Sequence, residues 1–386
     1  MRTLLFIMLF LPFMALGQNK LEGKVIDETN GIGICNVTIY VNGTTIGTIS
    51  DKEGYFILEN VSLPCNIGFS HIKYEPSMIR VTNTEANNCT IILKPRNIQL
   101  KQVKISNNNR RTHNVYKFKA NFLGQDYFGK QAKLLNDKDL FFTHDYKPKK
   151  IKIPKGVTFD RRPGKSFKIV HEKDGDYIIK SRAINTKVKA SAPLIIDLPY
   201  LGYKIQTELI NYIVEFNEDH SQTCSFLGYY YFQPYELKLR KYENRRKKAY
   251  YNSSLHFCRS LYNKELKKNG YQLLEVTGEK KNNTLKTKLI SIDTLNTIKE
   301  NNSIKLIGLK GKHFTILYNC KSNGSPIDLN THRLKSGPQS IIYFNSDTCK
   351  INSNGIVSDN NILFSGRISE KKVGALLPEN YYPKKL

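Results

Sequence analysis

From Lys20 to Pro95 the chain is cut into short apolar runs by Gly, Asn and Asp recurring at about ten-residue spacing. Alternation within runs this short is the pattern of half-buried strands, and their spacing argues for a small β-sandwich. Leu21–Asp27, Cys35–Val41, Ile46–Ser50, Tyr55–Leu58, Cys65–Ser70 and Thr90–Lys94 read as its strands. Asp51-Lys52-Glu53-Gly54 reads as a tight turn, with Gly54 supplying positive φ before Tyr55 and Phe56 enter the next strand.

The whole chain has 386 residues, enough for two or three domains, and its 40% hydrophobic residues exclude disorder throughout. Met1–Gly17 reads as a cleavable signal peptide. Arg2 gives the positive start, Leu4–Leu16 the apolar core, and Ala15 and Gly17 the small residues before a cut ahead of Gln18. The core is too short to span a bilayer, and no later run approaches membrane-spanning length. No Cys follows the cleavage site, so a lipoprotein anchor is not expected.

The net charge of +27 is unevenly distributed. Lys20–Pro95 holds 6 Lys and Arg against 8 Asp and Glu, net −2, whereas Arg96–Leu386 holds 53 against 25, net +28. That excess suits an anionic partner such as lipopolysaccharide, an acidic glycan or nucleic acid, or else forms a Lys-rich solvated surface. Export argues against nucleic acid. The seven Cys are widely spaced and form none of the close pairs of a zinc site, so they read as buried small hydrophobes with one or two bridges.

Glu22-Gly23-Lys24-Val25-Ile26-Asp27, Gly33-Ile34-Cys35-Asn36-Val37-Thr38-Ile39, Gly47-Thr48-Ile49-Ser50-Asp51 with Gly54-Tyr55-Phe56, and Ile67-Gly68-Phe69-Ser70-His71-Ile72-Lys73-Tyr74 follow in an order that resembles the carboxypeptidase-regulatory-like domain. The resemblance implies a prealbumin-like β-sandwich, frequent in exported proteins of Bacteroidetes-type bacteria and often placed before outer-membrane receptors. Leu100–Ser106 resembles the segment that follows the domain in such receptors, but the remaining chain is too short for their barrel. Asn107–Arg111 reads as a polar linker.

Farther on, Leu194–Pro199, Gly202–Phe216 and Phe226–Tyr235 alternate as strands of an antiparallel sheet. Tyr242–Tyr251 and Leu255–Lys268 read as a helix pair, the second capped by Ser253 or Ser254 and closed by Asn269-Gly270. Strand-like runs return at Ile304–Leu309, Phe314–Tyr318 and Ser340–Phe344. Ala192-Pro193-Leu194, Leu201-Gly202-Tyr203, Asn244-Arg245, Ser254–Leu261 and Leu376–Tyr381 resemble the long extension of exported proteins that carry the regulatory-like domain without a barrel. That resemblance lends no catalytic role.

A zinc carboxypeptidase needs His-x-x-Glu and a distant second His, and none of the eight His residues has that spacing. Pro163-Gly164-Lys165-Ser166 is similar to the end of a phosphate loop, but Phe159 stands where the first Gly is needed. There is no Gly-x-Ser-x-Gly elbow. The polar cluster to weigh is Asn244, Arg245, Tyr250, His256 and Arg259. His256 and Arg259, three apart on one helix face, could offer a titratable ring and a bidentate cation to an anionic ligand. Equally, Arg245 and Arg259 could bridge the helices to sheet carbonyls.

The sequence therefore predicts a mainly β chain. Its parts are a signal peptide (1–17), a prealbumin-like β-sandwich (18–96), a linker (97–115) and a basic, β-rich α+β region (116–386) containing a helix pair. Arg245, His256 and Arg259 are the candidate ligand-binding residues, and no catalytic residue, metal ligand or cofactor is expected. The expected role is that of a non-catalytic exported binding or assembly module. It would sit in the periplasm or at the outer membrane, peripheral to the membrane at most, meeting an envelope protein or anionic glycan. An envelope glycan- or peptide-acting enzyme in the C-terminal region is the alternative, and a nucleic-acid binder the third reading.

Overall fold

The computed structural model describes residues 20–82, 88–96, 108–154, 167–217, 221–237, 239–277, 287–290, 295–321, 324–329, 339–358 and 362–384. The expected signal peptide, the receptor-like segment at 100–106 and the basic loop at 161–166 lie outside the described residues. The chain divides into two compact units, 1–42 with 46–97, and 43–45 with 98–386.

The first unit contains strands β1 (Leu21–Asp27), β2 (Thr38–Val41), β3 (Gly47–Ile49), β4 (Tyr55–Leu58), β5 (Cys65–Ser70), β6 (Ser77–Val81) and β7 (Cys89–Leu93). β1 lies between antiparallel β4 and parallel β7, and the second sheet runs β3-β2-β5-β6. Alternation does what the sequence predicts: Leu21, Val25, Phe56, Leu58, Ile91 and Leu93 point inward and Tyr55, Ile57 and Ile92 outward. The sheets close on one core, where the Phe56 and Phe69 rings meet edge to face at 5.8 Å. Each such ring or aliphatic side chain contributes about 1.5–3 kcal/mol when fully buried. Gly23 has a packing reason, since a Cβ there would lie 2.2 Å from the Cys89 carbonyl oxygen. The Asp51–Gly54 turn forms as expected, with Asp51 Oδ1 accepting from the Tyr55 amide at 2.7 Å and Gly54 at φ +87°.

The second unit opens with α1 (Asn108–Leu123), so residues 108–115 of the expected linker are helix. The polar run Asn108–Thr112 conceals an apolar stripe at Val115, Phe118 and Phe122, of which Phe118 and Phe122 are buried. Arg111 also ties the first turns down by donating to the carbonyls of Leu140, Asp137 and Lys138 at 3.0–3.1 Å. α2 (Tyr127–Gln131) follows, capped by Asp126, and then β8 (Lys133–Leu134).

Six more strands complete a seven-stranded antiparallel sheet: β9 (Leu140–Lys152), β10 (Phe167–Glu172), β11 (Gly175–Ala190), β12 (Leu194–Leu198), β13 (Tyr203–Phe216) and β14 (Gln222–Pro234). β13 pairs along its length with β14, while its other edge is shared by β12 near its start and β11 near its end. The expected strands at 194, 202 and 226 are those of this sheet, and Tyr230 packs against its core.

The helix pair is present as α3 (Arg240–Tyr250) and α4 (Ser254–Tyr262), the second shorter than expected. Ser253 caps α4, its Oγ accepting from the His256 amide. Asn263 closes it, and Lys264, inside the expected Leu255–Lys268 helix, sits at φ +57° instead. Lys371 supplies the other end's partner: its ammonium donates to the carbonyls of Lys248, Ala249 and Tyr251 at the end of α3. Burial lowers its pKa to about 8.

Beyond the helices lie β15 (Tyr271–Val276), β16 (Thr287–Ile290), β17 (Asn296–Glu300), β18 (Ser303–Ile307), β19 (His313–Tyr318), β20 (Gln339–Phe344), β21 (Thr348–Asn352), β22 (Ile362–Gly366) and α5 (Arg367–Glu370). They form one sheet of order β16-β15-β19-β20-β22 and another of order β17-β18-β21. The second unit has two cores. One gathers α1, the seven-stranded sheet and the end of α3, and the other gathers α4 with the last two sheets. The chain is mainly β, as the sequence predicts. All seven Cys are free thiols, so no expected bridge forms, and Cys258 and Cys349 act as small hydrophobes inside the second core.

Candidate functional site

The three residues nominated from sequence are turned to structural work. Arg259, in α4, is 3% exposed. Its Nε donates to the Asn354 carbonyl at 2.9 Å, Nη1 to the Tyr381 carbonyl at 2.7 Å and Nη2 to the Glu379 carbonyl at 2.6 Å. Its guanidinium also stacks on Tyr382 at 3.9 Å. His256 is buried one turn earlier. Its Nδ1 accepts from the Asn252 amide at 3.2 Å and meets the Tyr271 hydroxyl at 2.9 Å, which leaves the ring neutral. Desolvation lowers its pKa to about 3, with Lys371 and Arg259 adding to the same direction.

Arg245 is engaged elsewhere, lying over the Tyr200 ring at 4.1 Å and donating to the Tyr200 carbonyl at 3.3 Å. The neighbouring Arg246, which sequence reasoning did not single out, lies over Tyr203 and donates to the Leu201 and Gly202 carbonyls. Arg245 and Arg259 therefore bridge helices to carbonyls, but to those of turns and loops (Tyr200, Asn354, Glu379 and Tyr381) and not to those of a sheet. His256 and Arg259 do share a face, but it faces inward and both side chains are buried, while Arg245 lies apart from them on Tyr200.

An open concavity of the second unit lies elsewhere, between α1 and the seven-stranded sheet. It is a cleft of about 220 Å³. Its helical wall is Arg110, His113, Asn114, Lys117, Phe118 and Asn121, one stripe at helical spacing. Its floor comes from β9, β11 and β13, through Phe142, Val188, Tyr212, Val214 and Phe216. Strand alternation sends these to one side of the sheet, and register sets Phe142 opposite Val188.

Two polar features mark the cleft. His144 is clamped: the Asn114 amide donates to its Nε2 at 3.0 Å, and its Nδ1–H donates to Thr186 Oγ1 at 2.8 Å. This neutral ring has its pKa lowered by desolvation first, then by Arg110 and Lys117. The hydroxyl of Tyr212, by contrast, is buried beside Asn121 and Cys224 without a well-formed hydrogen bond among the described residues. Burial pushes its pKa up. Among the described residues no carboxylate lines the cleft and neither Arg110 nor Lys117 has an ion-pair partner, whereas Lys119 on the same helix pairs with Asp137 at 2.6 Å. Helical periodicity from residue 110 was the signal available in sequence, and the Asn-rich start of α1 hid it.

Among the described residues no three His, Cys, Asp or Glu side chains converge as a metal site would require, and no helix is long and apolar enough to cross a membrane.

Two facing sheets with a parallel β1–β7 pair define the first unit as a β-sandwich domain. Residues 21–105 match the family model of the CarboxypepD_reg-like domain, so the first unit is a carboxypeptidase-regulatory-like domain, a non-catalytic module. No curated protein matches the chain.

Proposed function

We propose that this chain is a non-catalytic exported protein of the cell envelope, of the Bacteroidetes type, that acts as a binding or assembly module in the periplasm or at the outer membrane. One observation carries the reading: the site-like residues are bonded internally, while the open cleft offers cations, amides and aromatic rings and, among the described residues, no carboxylate. His144 already has both ring nitrogens engaged, and Thr186 accepts its proton, so the pair has the wrong polarity for activating that hydroxyl as a nucleophile. Such a lining suits holding a ligand better than turning one over. The apolar leader before Gln18 supports export, and the charge of +28 over residues 96–386 supports an acidic glycan or an acidic envelope protein as partner.

Cross-linked capture from intact envelopes tests the role. Recovery of one discrete envelope component, lost when Arg110 and Lys117 are both replaced by Glu, is expected. Turnover of an envelope glycan or peptide that His144→Ala abolishes at unchanged melting temperature would replace this reading with an enzymatic one. N-terminal sequencing of the native protein is expected to start at Gln18, and a cytosolic chain starting at Met1 would remove the exported role.

A further inference from the structure

We infer that the cleft between α1 and the seven-stranded sheet binds a small amphipathic carboxylate. Its anionic head would lie at the rim made by Arg110 and Lys117 and its alkyl or aryl body on the floor made by Phe142, Val188 and Phe216. The inference rests on the binding role proposed above and names the ligand class.

The two cations are the first argument. Both are exposed, both line the cleft, and neither has an ion-pair partner among the described residues. Among the described residues no carboxylate of the lining neutralises them, and their positive charge draws an anion toward the mouth. Their field is felt inside the site, because both cations add to the desolvation that holds His144 neutral.

The floor is the second argument. Phe142 and Phe216, half-buried, converge under the rim above Phe118, Val188 and Val214, which are already buried in the core. A wholly polar anion would leave this surface wet, whereas an apolar body buries it at about 25 cal/mol per Å². Size is the third: about 220 Å³ is below the roughly 300–1,000 Å³ of drug-sized sites, which suits a ligand of few heavy atoms. Amide and hydroxyl groups at Asn114, Asn121, Thr186 and Gln222 can orient the head without adding charge.

Titration calorimetry and amide chemical-shift mapping on the full chain test the class with three probes: octanoate, octanol and inorganic phosphate. Octanoate is expected to bind saturably, octanol at least tenfold more weakly, and phosphate not at all. The double variant Arg110→Gln/Lys117→Gln, both positions exposed, should weaken octanoate at least tenfold at unchanged melting temperature. Ala183→Trp, which fills the cleft from β11 without touching the rim, should abolish binding. Octanol binding as tightly as octanoate, or octanoate binding unaffected by either variant, overturns the ligand class or its location while leaving the binding role standing. If none of the probes binds, the inference fails, and envelope capture alone then decides the proposed function.

Discussion

The Arg259 guanidinium lies over the Tyr382 ring, 3.9 Å from its centroid, while the carbonyls of Glu379 and Tyr381 take two of its donors. A side chain in α4 thereby fixes Glu379–Tyr382 in place, and Tyr381 in turn enters the core under the seven-stranded sheet. Arg suits this position because its planar, weakly hydrated fork meets three carbonyls and one ring face at once. A residue that looks like a ligand-binding cation in sequence is, in structure, a strut between α4 and that segment.

Arg259→Ala is therefore expected to cost about 3 kcal/mol, because three carbonyl partners lose their donor and a ring loses its stacked cation. Arg259→Lys should recover part of this, since one ammonium cannot satisfy all three directions. Chemical denaturation checks both, and a loss below about 1 kcal/mol for the Ala variant would show that water replaces the guanidinium.

Legibility in the sequence followed alternation and failed where charge hid it. Leu21–Asp27, Tyr55–Leu58 and Cys65–Ser70 are strands at the expected bounds because their inward residues are strongly apolar. β9 and β11 were missed because lysines punctuate them, as in Lys147 and Lys150, and only pairing from Tyr177–Lys152 to Ala190–Leu140 makes them strands. β6 was missed because Ser77-Met78-Ile79-Arg80-Val81 buries only Val81 fully. Residues 108–115 of α1 read as linker because its first turn has neither an acidic residue nor an apolar one, so tertiary contacts decide it. The cleft was illegible for the same reason: one wall is that helix and the floor is drawn from three strands.

Tyr212 and Tyr271 should respond oppositely to loss of their hydroxyls. The Tyr212 hydroxyl is buried without a well-formed hydrogen bond among the described residues, which costs about 1–3 kcal/mol, so Tyr212→Phe is expected to leave stability unchanged or raise it by about 1 kcal/mol. The Tyr271 hydroxyl meets His256 Nδ1 at 2.9 Å, so Tyr271→Phe should lose about 1–2 kcal/mol. Thermal and urea denaturation of the two variants side by side measures the contrast. Equal losses would show that Tyr212 has a partner in solution.

The first unit should fold alone. Every buried residue of its core lies between Leu21 and Leu93, and Val25, Val37, Ile39, Ile67 and Phe69 are completely buried within it. A fragment from Gln18 to Ser106 is expected to melt cooperatively with dispersed amide resonances, at modest stability for its size. Val25→Ala within it should cost about 2 kcal/mol through the cavity it leaves. A collapsed spectrum for the fragment would mean that the sandwich depends on the rest of the chain.

His256 makes stability depend on acid in a definite direction. The folded ring is held neutral down to about pH 3, whereas in the unfolded chain an imidazole protonates near pH 6.5. Above that pH neither state binds the proton, and the group contributes no pH dependence. Between about pH 6.5 and 3 the unfolded state binds a proton the native state refuses, so stability falls as pH falls, by about 1 kcal/mol per unit. His256→Gln removes this term while leaving an acceptor for the Tyr271 hydroxyl. Denaturation at pH 7, 5.5 and 4.5 should show the wild type losing stability faster than the variant, so that the gap between them narrows in acid. Parallel slopes would mean that the imidazole takes up its proton in the folded state, and that the network around Asn252 and Tyr271 opens to admit it.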